Sequence, residues 1–123
     1  MISNQPRQKK GSLAESFVAS RLANQNWLII KRNYRCVGSE IDIIASKKDT
    51  LLAVEVKFRR STSHLQWDLL LPNKKIQSIR NGLLHFITKY QINATTLRLD
   101  LALVYPYQGT FRLKYWVDPV TME

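Results

Sequence analysis

Between residues 12 and 26, apolar side chains fall at Leu13, Ala14, Phe17, Val18 and Leu22, the spacing of one helix face, and Ser12 followed by Glu15 has the form of a capping box. A first helix is predicted there. The rhythm then changes. Trp27-Leu28-Ile29-Ile30 opens a strand that becomes polar through residues 31–35, and Gly38 marks a turn. A second strand is predicted from Glu40 to Ala45. After the polar turn Lys47-Lys48-Asp49-Thr50, a third runs from Leu51 to Arg59, rich in apolar and β-branched residues. Residues 61–71 read as a loop carrying Trp67 and Leu69-Leu70-Leu71. Pro72 suits the first turn of a second helix, along which Ile76, Ile79, Leu83, Leu84, Ile87 and Tyr90 recur at helical spacing. Leu97 to Tyr105 predicts a fourth strand, Pro106 to Gly109 a turn, and Phe111 to Val117 a fifth strand.

The order α, β, β, β, α, β, β predicts an α/β fold, a mixed sheet flanked by helices. The second and third strands read as a hairpin. The second helix, as a crossover, allows the third and fourth strands to lie parallel.

With 123 residues and 45% apolar composition, one domain that buries a core without disulfides or a structural metal is expected, spanning residues 11–123. The single Cys36 agrees, because one thiol makes no intramolecular bridge and no Cys/His zinc cluster is present. Residues 1–10, MISNQPRQKK, read as a flexible basic arm. The longest apolar runs are too short to cross a bilayer, so a cytoplasmic protein with no membrane partner is expected. Nineteen Lys and Arg against nine Asp and Glu give a net charge of +10, which points to a polyanionic partner such as nucleic acid.

Against that basic background the few acids are oddly placed. Glu40, Asp42, Glu55 and Asp100 sit inside predicted strands among Ile, Val, Leu and Ala, where carboxylates are disfavoured. A hairpin turn symmetric about the Lys48-Asp49 bond sets Asp42 opposite Glu55 and Glu40 opposite Lys57, with all four on one face. Directly opposed carboxylates repel, so a cation is needed between them. Lys57 supplies one charge and a divalent metal supplies two. Oxygen ligands of this kind suit Mg²⁺ or Mn²⁺, which bind through one or two carboxylates and keep waters for a substrate phosphate. Such a metal activates water, and Lys57 beside it is placed to position that water or neutralise charge on phosphorus.

Asp42 followed by Glu55-Val56-Lys57 resembles the PD-(D/E)XK nuclease motif, in which an Asp, an E-x-K tripeptide and a divalent ion hydrolyse DNA. The fuller run resembles the YraN-like family of small bacterial proteins. It comprises Asn33-Tyr34-Arg35-Cys36, Glu40-Ile41-Asp42-Ile43-Ile44-Ala45, Asp49-Thr50-Leu51 and Val54-Glu55-Val56-Lys57-Phe58-Arg59-Arg60. Ala14-Glu15, Ala19, Lys74-Lys75 and Arg98-Leu99-Asp100 extend the match over about residues 11–105. That family is similar in fold to archaeal Holliday-junction resolvases and restriction endonucleases, which implies an αβββαβ core and nuclease activity on DNA, branched or structured DNA included. The resemblance implies that Asp42 and Glu55 are metal ligands and Lys57 the catalytic lysine. It further implies that Glu15 is an additional carboxylate near the metal and that Glu40 is the acid of the family's G-E-x-D signature. The chain departs from the pattern at Ser39, inserted between Gly38 and Glu40, and in the loop after Arg60, which lacks the usual glycine.

Plainer readings stand beside these. Glu15 is accounted for by the capping box, Glu40 with Lys57 by a cross-strand ion pair, and Asp100 by pairing with a nearby Arg. Lys74, Lys75, Arg80 and Lys89 are read first as the solvated face of a helix, and Lys57, Arg59, Arg60, Lys74 and Lys75 as the candidate phosphate contacts. The rival to a nuclease is a non-catalytic nucleic-acid-binding protein on the same fold. A homodimer is expected only by analogy with resolvases, which act on two-fold junctions.

Overall fold

The computed structural model of the chain describes residues 7–60 and 65–119. Helix α1 spans Arg7–Asn24, followed by strands β1 (Leu28–Cys36), β2 (Ser39–Lys47) and β3 (Thr50–Phe58), a one-turn helix α2 (Trp67–Leu70), helix α3 (Asn73–Tyr90), and strands β4 (Thr96–Tyr107) and β5 (Thr110–Trp116). The five strands form one sheet in chain order, antiparallel throughout except that β3 and β4 are parallel. Two-residue turns fix three of these pairings: Cys36 faces Ser39, Lys47 faces Thr50 and Tyr107 faces Thr110. Gly38, Lys48, Gln108 and Gly109 in those turns hold positive φ, which matches the right-handed twist of the strands they join.

The sheet is covered on both faces. On one side Ala14, Val18 and Leu22 of α1 pack with Trp27, Ile43, Leu52, Val54, Ala102 and Val104. On the other, Ile79, Leu83 and Phe86 of α3 pack with Tyr34, Ile41, Ile44, Leu51, Leu99, Leu101 and Leu103. β3 and β4 are buried on both faces and read as near-continuous apolar runs, as parallel strands under helices do. This is the expected α/β architecture, a five-stranded mixed sheet between helices consistent with a restriction-endonuclease-like core.

Most element boundaries lie within two residues of expectation, and four differences bear on the architecture. α1 starts at Arg7, inside the segment read as a flexible arm, and residues 1–6 of that segment lie outside the described residues. Ser12 is therefore in the helix interior, and the capping box does not account for Glu15. The loop before α3 contains α2, whose Leu70, with the following Leu71, is buried in the core; residues 61–64 lie outside the described residues. β4 runs through Pro106 to Tyr107, because its pairing with β3 has ended at Phe58 and Val104 and no partner there requires a proline N–H. Lastly, Pro72 is the residue before α3 and not its first member.

At Gly82 α3 comes close against β2. A Cβ there would fall on Ser39 Oγ and come within 3.0 Å of Ile41 Cδ1. Ser39 Oγ donates to the Ser78 carbonyl at 2.6 Å, and Ser78 Oγ donates to the Gly38 carbonyl at 2.9 Å, tying the β1–β2 turn to the helix.

Candidate active site

β2 and β3 pair residue for residue from Lys47 and Thr50 up to Ile43 and Val54, in the register expected from the turn, and there the ladder ends. Asp42 and Glu55 would be the next pair. Instead Asp42 Oδ2 accepts the Val56 N–H at 2.8 Å, so a side chain satisfies an amide on the side of β3 that faces β2.

The cause lies in the alternation of β2. Ile41 and Ile44 pack on the α3 side, Ile43 and Ala45 on the α1 side, so strict alternation slips between Ile41 and Ile43. β1 slips at the matching point: Tyr34 is in the α3-side core, whereas Arg32 reaches Ser16 and Glu15 of α1. Between the pairs Arg32–Ile43 and Tyr34–Ile41, Asn33 and Asp42 are left out of the ladder, and Asn33 sits at φ 53°. Asn is among the few side chains that tolerate this left-handed conformation readily. The double irregularity brings Asp42 to the gap opening between β2 and β3.

Glu55 is buried, 4% exposed, and two lysines reach its Oε2: Lys57 Nζ at 3.0 Å and Lys75 Nζ, from the first turns of α3, at 3.7 Å. Among the described residues no cation pairs with Asp42. Burial first and then the neighbouring Glu55 charge push its pKa from 3.8 to about 7, against the lowering effect of the Val56 amide, with a smaller upward push from Glu15. The pair is thus short of positive charge at Asp42.

Glu15 lies on the α1 side, its carboxylate 3.7 Å from Arg32 Nη2. Burial raises its pKa, opposed by Arg32 and by a hydrogen bond to Asn33. Arg32 Nε is itself buried with no hydrogen-bond partner among the described residues. Glu40 does not stand against Lys57. Past the slip β2 no longer runs beside β3, and Glu40 is exposed and paired with Arg35 at 3.3 Å. Arg59 and Arg60 are exposed just beyond β3, and Lys74 is exposed at the start of α3. An open groove of about 420 Å³, lined by Arg35, Cys36, Gly38, Ser39, Glu40, Lys75 and Ser78, adjoins the pair through Lys75.

Sequence patterning found Asp42, Glu55 and Lys57 but not their neighbours Arg32 and Asn33. Strict alternation on β1 assigns Arg32 to the face of Tyr34, and nothing in the sequence announces the slip. Lys75 is read from the sequence as a helix-surface cation and candidate phosphate contact; its reach to Glu55 depends on how α3 docks.

The donor set is chemically suited to a hard divalent ion. Two carboxylates meet, one of them destabilised as an anion by the other, and a cation between them would replace that repulsion with coordination. Among the described residues no three Asp, Glu, His or Cys side chains group as metal ligands; an ion held by Asp42 and Glu55 would complete its shell with water.

The model of the uncharacterised protein family UPF0102 matches residues 14–104, a span that contains every residue of this site. A UPF0102 protein of Trichlorobacter lovleyi is 35% identical over 104 residues, covering 84% of this chain and 82% of the relative. One from Desulforapulum autotrophicum is 34% identical over 108 residues, 88% and 89% of the two chains, and one from Treponema pallidum is 34% identical over 95 residues, 76% and 75%.

Proposed function

Since the chain belongs to the uncharacterised protein family UPF0102, the family that the YraN-like resemblance denotes, and unites Asp42, Glu55 and Lys57 at one strand opening, we propose that it is a metal-dependent endonuclease cutting DNA. Branched or otherwise structured DNA is the preferred substrate class. The observation that carries this reading is the Asp42–Glu55 pair: opposed, largely buried carboxylates in a chain of net charge +10 are unfavourable for folding and for merely holding phosphate.

Asp42 and Glu55 would hold Mg²⁺ or Mn²⁺, which when bound supplies Lewis-acid activation of water and of the phosphoryl oxygen. The rest falls to the chain. The Val56 amide fixes the orientation of Asp42, and Lys57 and Lys75 fix that of Glu55. Lys57 Nζ, a donor beside the pair, would orient the attacking water or neutralise negative charge gathering on the phosphoryl oxygens as the water oxygen bonds to phosphorus and gives up a proton, while the bond to the leaving sugar oxygen breaks and that oxygen takes a proton from solvent. The exposed Arg59, Arg60 and Lys74 would hold flanking phosphates. The protein would work in the cytosol, with a homodimer suited to two-fold substrates.

The test is cleavage of a panel of linear, flapped and four-way DNA by purified protein with Mg²⁺ or Mn²⁺. Cleavage should occur with the wild type and disappear in Asp42→Asn and Lys57→Ala, both of which keep DNA binding. Cutting that persists in both variants sinks the assignment. Salt-sensitive binding by the wild type with no cutting of any substrate would favour the binding-protein reading.

A further inference from the structure

Asp100 is fully buried on β4, yet the reaction outlined above gives it no part. It accepts from Arg98 Nε at 3.0 Å, Arg98 Nη2 at 2.9 Å, the Tyr115 hydroxyl and the Asp118 amide at 3.0 Å. A buried ion pair is weak evidence of stabilisation, because desolvating both charges offsets most of their attraction. What the arrangement does achieve is to lock the Arg98 guanidinium by a two-point fork, leaving Nη1 outside it, with the guanidinium carbon 5.0 Å from the centre of the Trp27 ring.

That locked guanidinium borders a partly enclosed cavity of about 390 Å³, within the size range of small-molecule sites. Its cations are Arg21 and Arg98, its aromatic walls Trp27 and Tyr115, and its aliphatic side is formed by Val18, Leu22, Leu113 and Val117. Gln25 adds an amide that both donates and accepts, and among the described residues the lining holds no carboxylate, Asp100 lying buried behind Arg98 and Tyr115. The cavity is separate from the carboxylate pair: Arg98 stands beside Leu52, three residues before Glu55 on β3, and faces α1, whereas Glu55 faces α3.

We infer that this cavity binds a nucleoside monophosphate, with the phosphate held between Arg21 and Arg98, the base against the apolar wall, and the base edge read by Gln25. Pre-oriented arginine recognises a phosphomonoester, an apolar wall with a single amide recognises a flat heterocycle, and Arg21 adds the positive charge that Asp100 offsets on Arg98. A free nucleotide and the phosphorylated end of a DNA strand present the same chemistry. The inference does not depend on the nuclease reading, because no residue of the carboxylate pair takes part.

The experiment is calorimetric titration of the full chain, in EDTA, with dAMP, deoxyadenosine and inorganic phosphate. dAMP should bind, and each fragment should bind about tenfold or more weakly, since either lacks half of the contacts. Arg21→Ala, at an exposed position, should weaken dAMP by about tenfold, and Leu113→Trp or, at the more exposed position, Val117→Trp should block it by filling the space, while Asp42→Asn should leave it unchanged. Competition by a 5′-phosphorylated oligonucleotide but not by its unphosphorylated twin identifies a strand end as the source; equal failure of both identifies the free nucleotide. Absence of dAMP binding at millimolar concentration, or binding indifferent to Arg21→Ala and to the filling variants that fold, overturns the inference.

Discussion

Asp42 Oδ2 accepts the Val56 N–H at 2.8 Å, which makes this carboxylate both a backbone partner for β3 and a charge in conflict with Glu55. The two roles separate by substitution. Asn keeps an acceptor for Val56 and removes the charge, whereas Ala removes both. The folded-state pKa of Asp42, about 7, lies above its ordinary 3.8, so the folded state binds the proton more tightly and stability falls as pH rises between those values. Asp42→Asn should therefore raise the melting temperature of metal-free protein by a few degrees, roughly 3–6 °C, at pH 8 and leave it nearly unchanged at pH 4. Asp42→Ala should gain less, losing on the order of 1 kcal/mol with the Val56 bond. Thermal scans of the three proteins at both pH values decide this; equal melting temperatures for wild type and Asp42→Asn at pH 8 would contradict it.

Lys57 and Lys75 share one oxygen of Glu55 but not one distance, 3.0 Å against 3.7 Å. Lys57→Ala should lower cleavage by about 100-fold or more, the scale of removing a donor that stabilises transition-state charge. Lys75→Ala leaves Glu55 paired with Lys57 and should act mainly through DNA affinity, reducing the dependence of binding on salt. Single-turnover rates and a binding series in KCl separate the two. Identical kinetic losses in both variants would show that the distances do not divide the roles.

Asp100, with no exposed surface, is the partner of an arginine that would otherwise be left uncompensated. Asp100→Ala should destabilise the fold by about 3–5 kcal/mol, the range for breaking one side of a buried pair. Tyr115→Phe removes a single hydroxyl donor and should cost about 1–2 kcal/mol. Burial, and after it the Asp100 charge, raises the Tyr115 pKa far above the ordinary 10.0, so its phenol should remain protonated in alkali that ionises exposed tyrosines. Urea unfolding and ultraviolet titration of Tyr115→Phe against wild type test these statements.

Gly82→Ala sets helix propensity against space. In an open helix the change stabilises by nearly 1 kcal/mol, but here the new methyl meets Ser39 Oγ and Ile41. A net loss of about 1–3 kcal/mol is expected, the range for overpacking, and Ser39→Ala in the same chain should recover part of it. Chemical denaturation of the single and double variants measures the coupling; a double variant no more stable than Gly82→Ala would mean that Ile41 or the backbone takes the clash.

Much of the molecule was legible because its turns are short. A two-residue connection at Lys48-Asp49 leaves one register for β2 and β3, and a slip by one would set Asp42 among Val54, Val56 and Phe58. The same rule then fails at Asp42, since alternation extrapolates only while strands stay regular. The left-handed φ of Asn33 and the skipped pair it forms with Asp42 are tertiary facts, fixed by Arg32 turning to α1 and Tyr34 to α3. Glu40 was misplaced against Lys57 for that reason. The start of α1 was obscured differently: Ser12 and Glu15 carry a capping signature that α1 overrides by beginning a full turn earlier, at Arg7. Asp100 followed a readable pattern, since Arg98 two residues before it shares its strand face.

The chain-order sheet has a kinetic consequence. Two-residue turns close β1 to β2, β2 to β3 and β4 to β5, so only the parallel union of β3 with β4 needs distant segments to meet, across α3. Loop-closure entropy makes that union the late step, with the β1–β3 meander and the β4–β5 hairpin forming as separate early units. Asp42, Glu55 and Lys57 all belong to the meander, while Lys75 arrives only with α3. The two carboxylates should therefore meet in the folding chain before the second lysine does, a stage at which a divalent ion would act as a folding cofactor. In pulse-labelling exchange, amides of Ile43 and Val54 should gain protection before that of Ala102, which lies on the β3-facing side of β4, and added Mn²⁺ should speed the early phase alone.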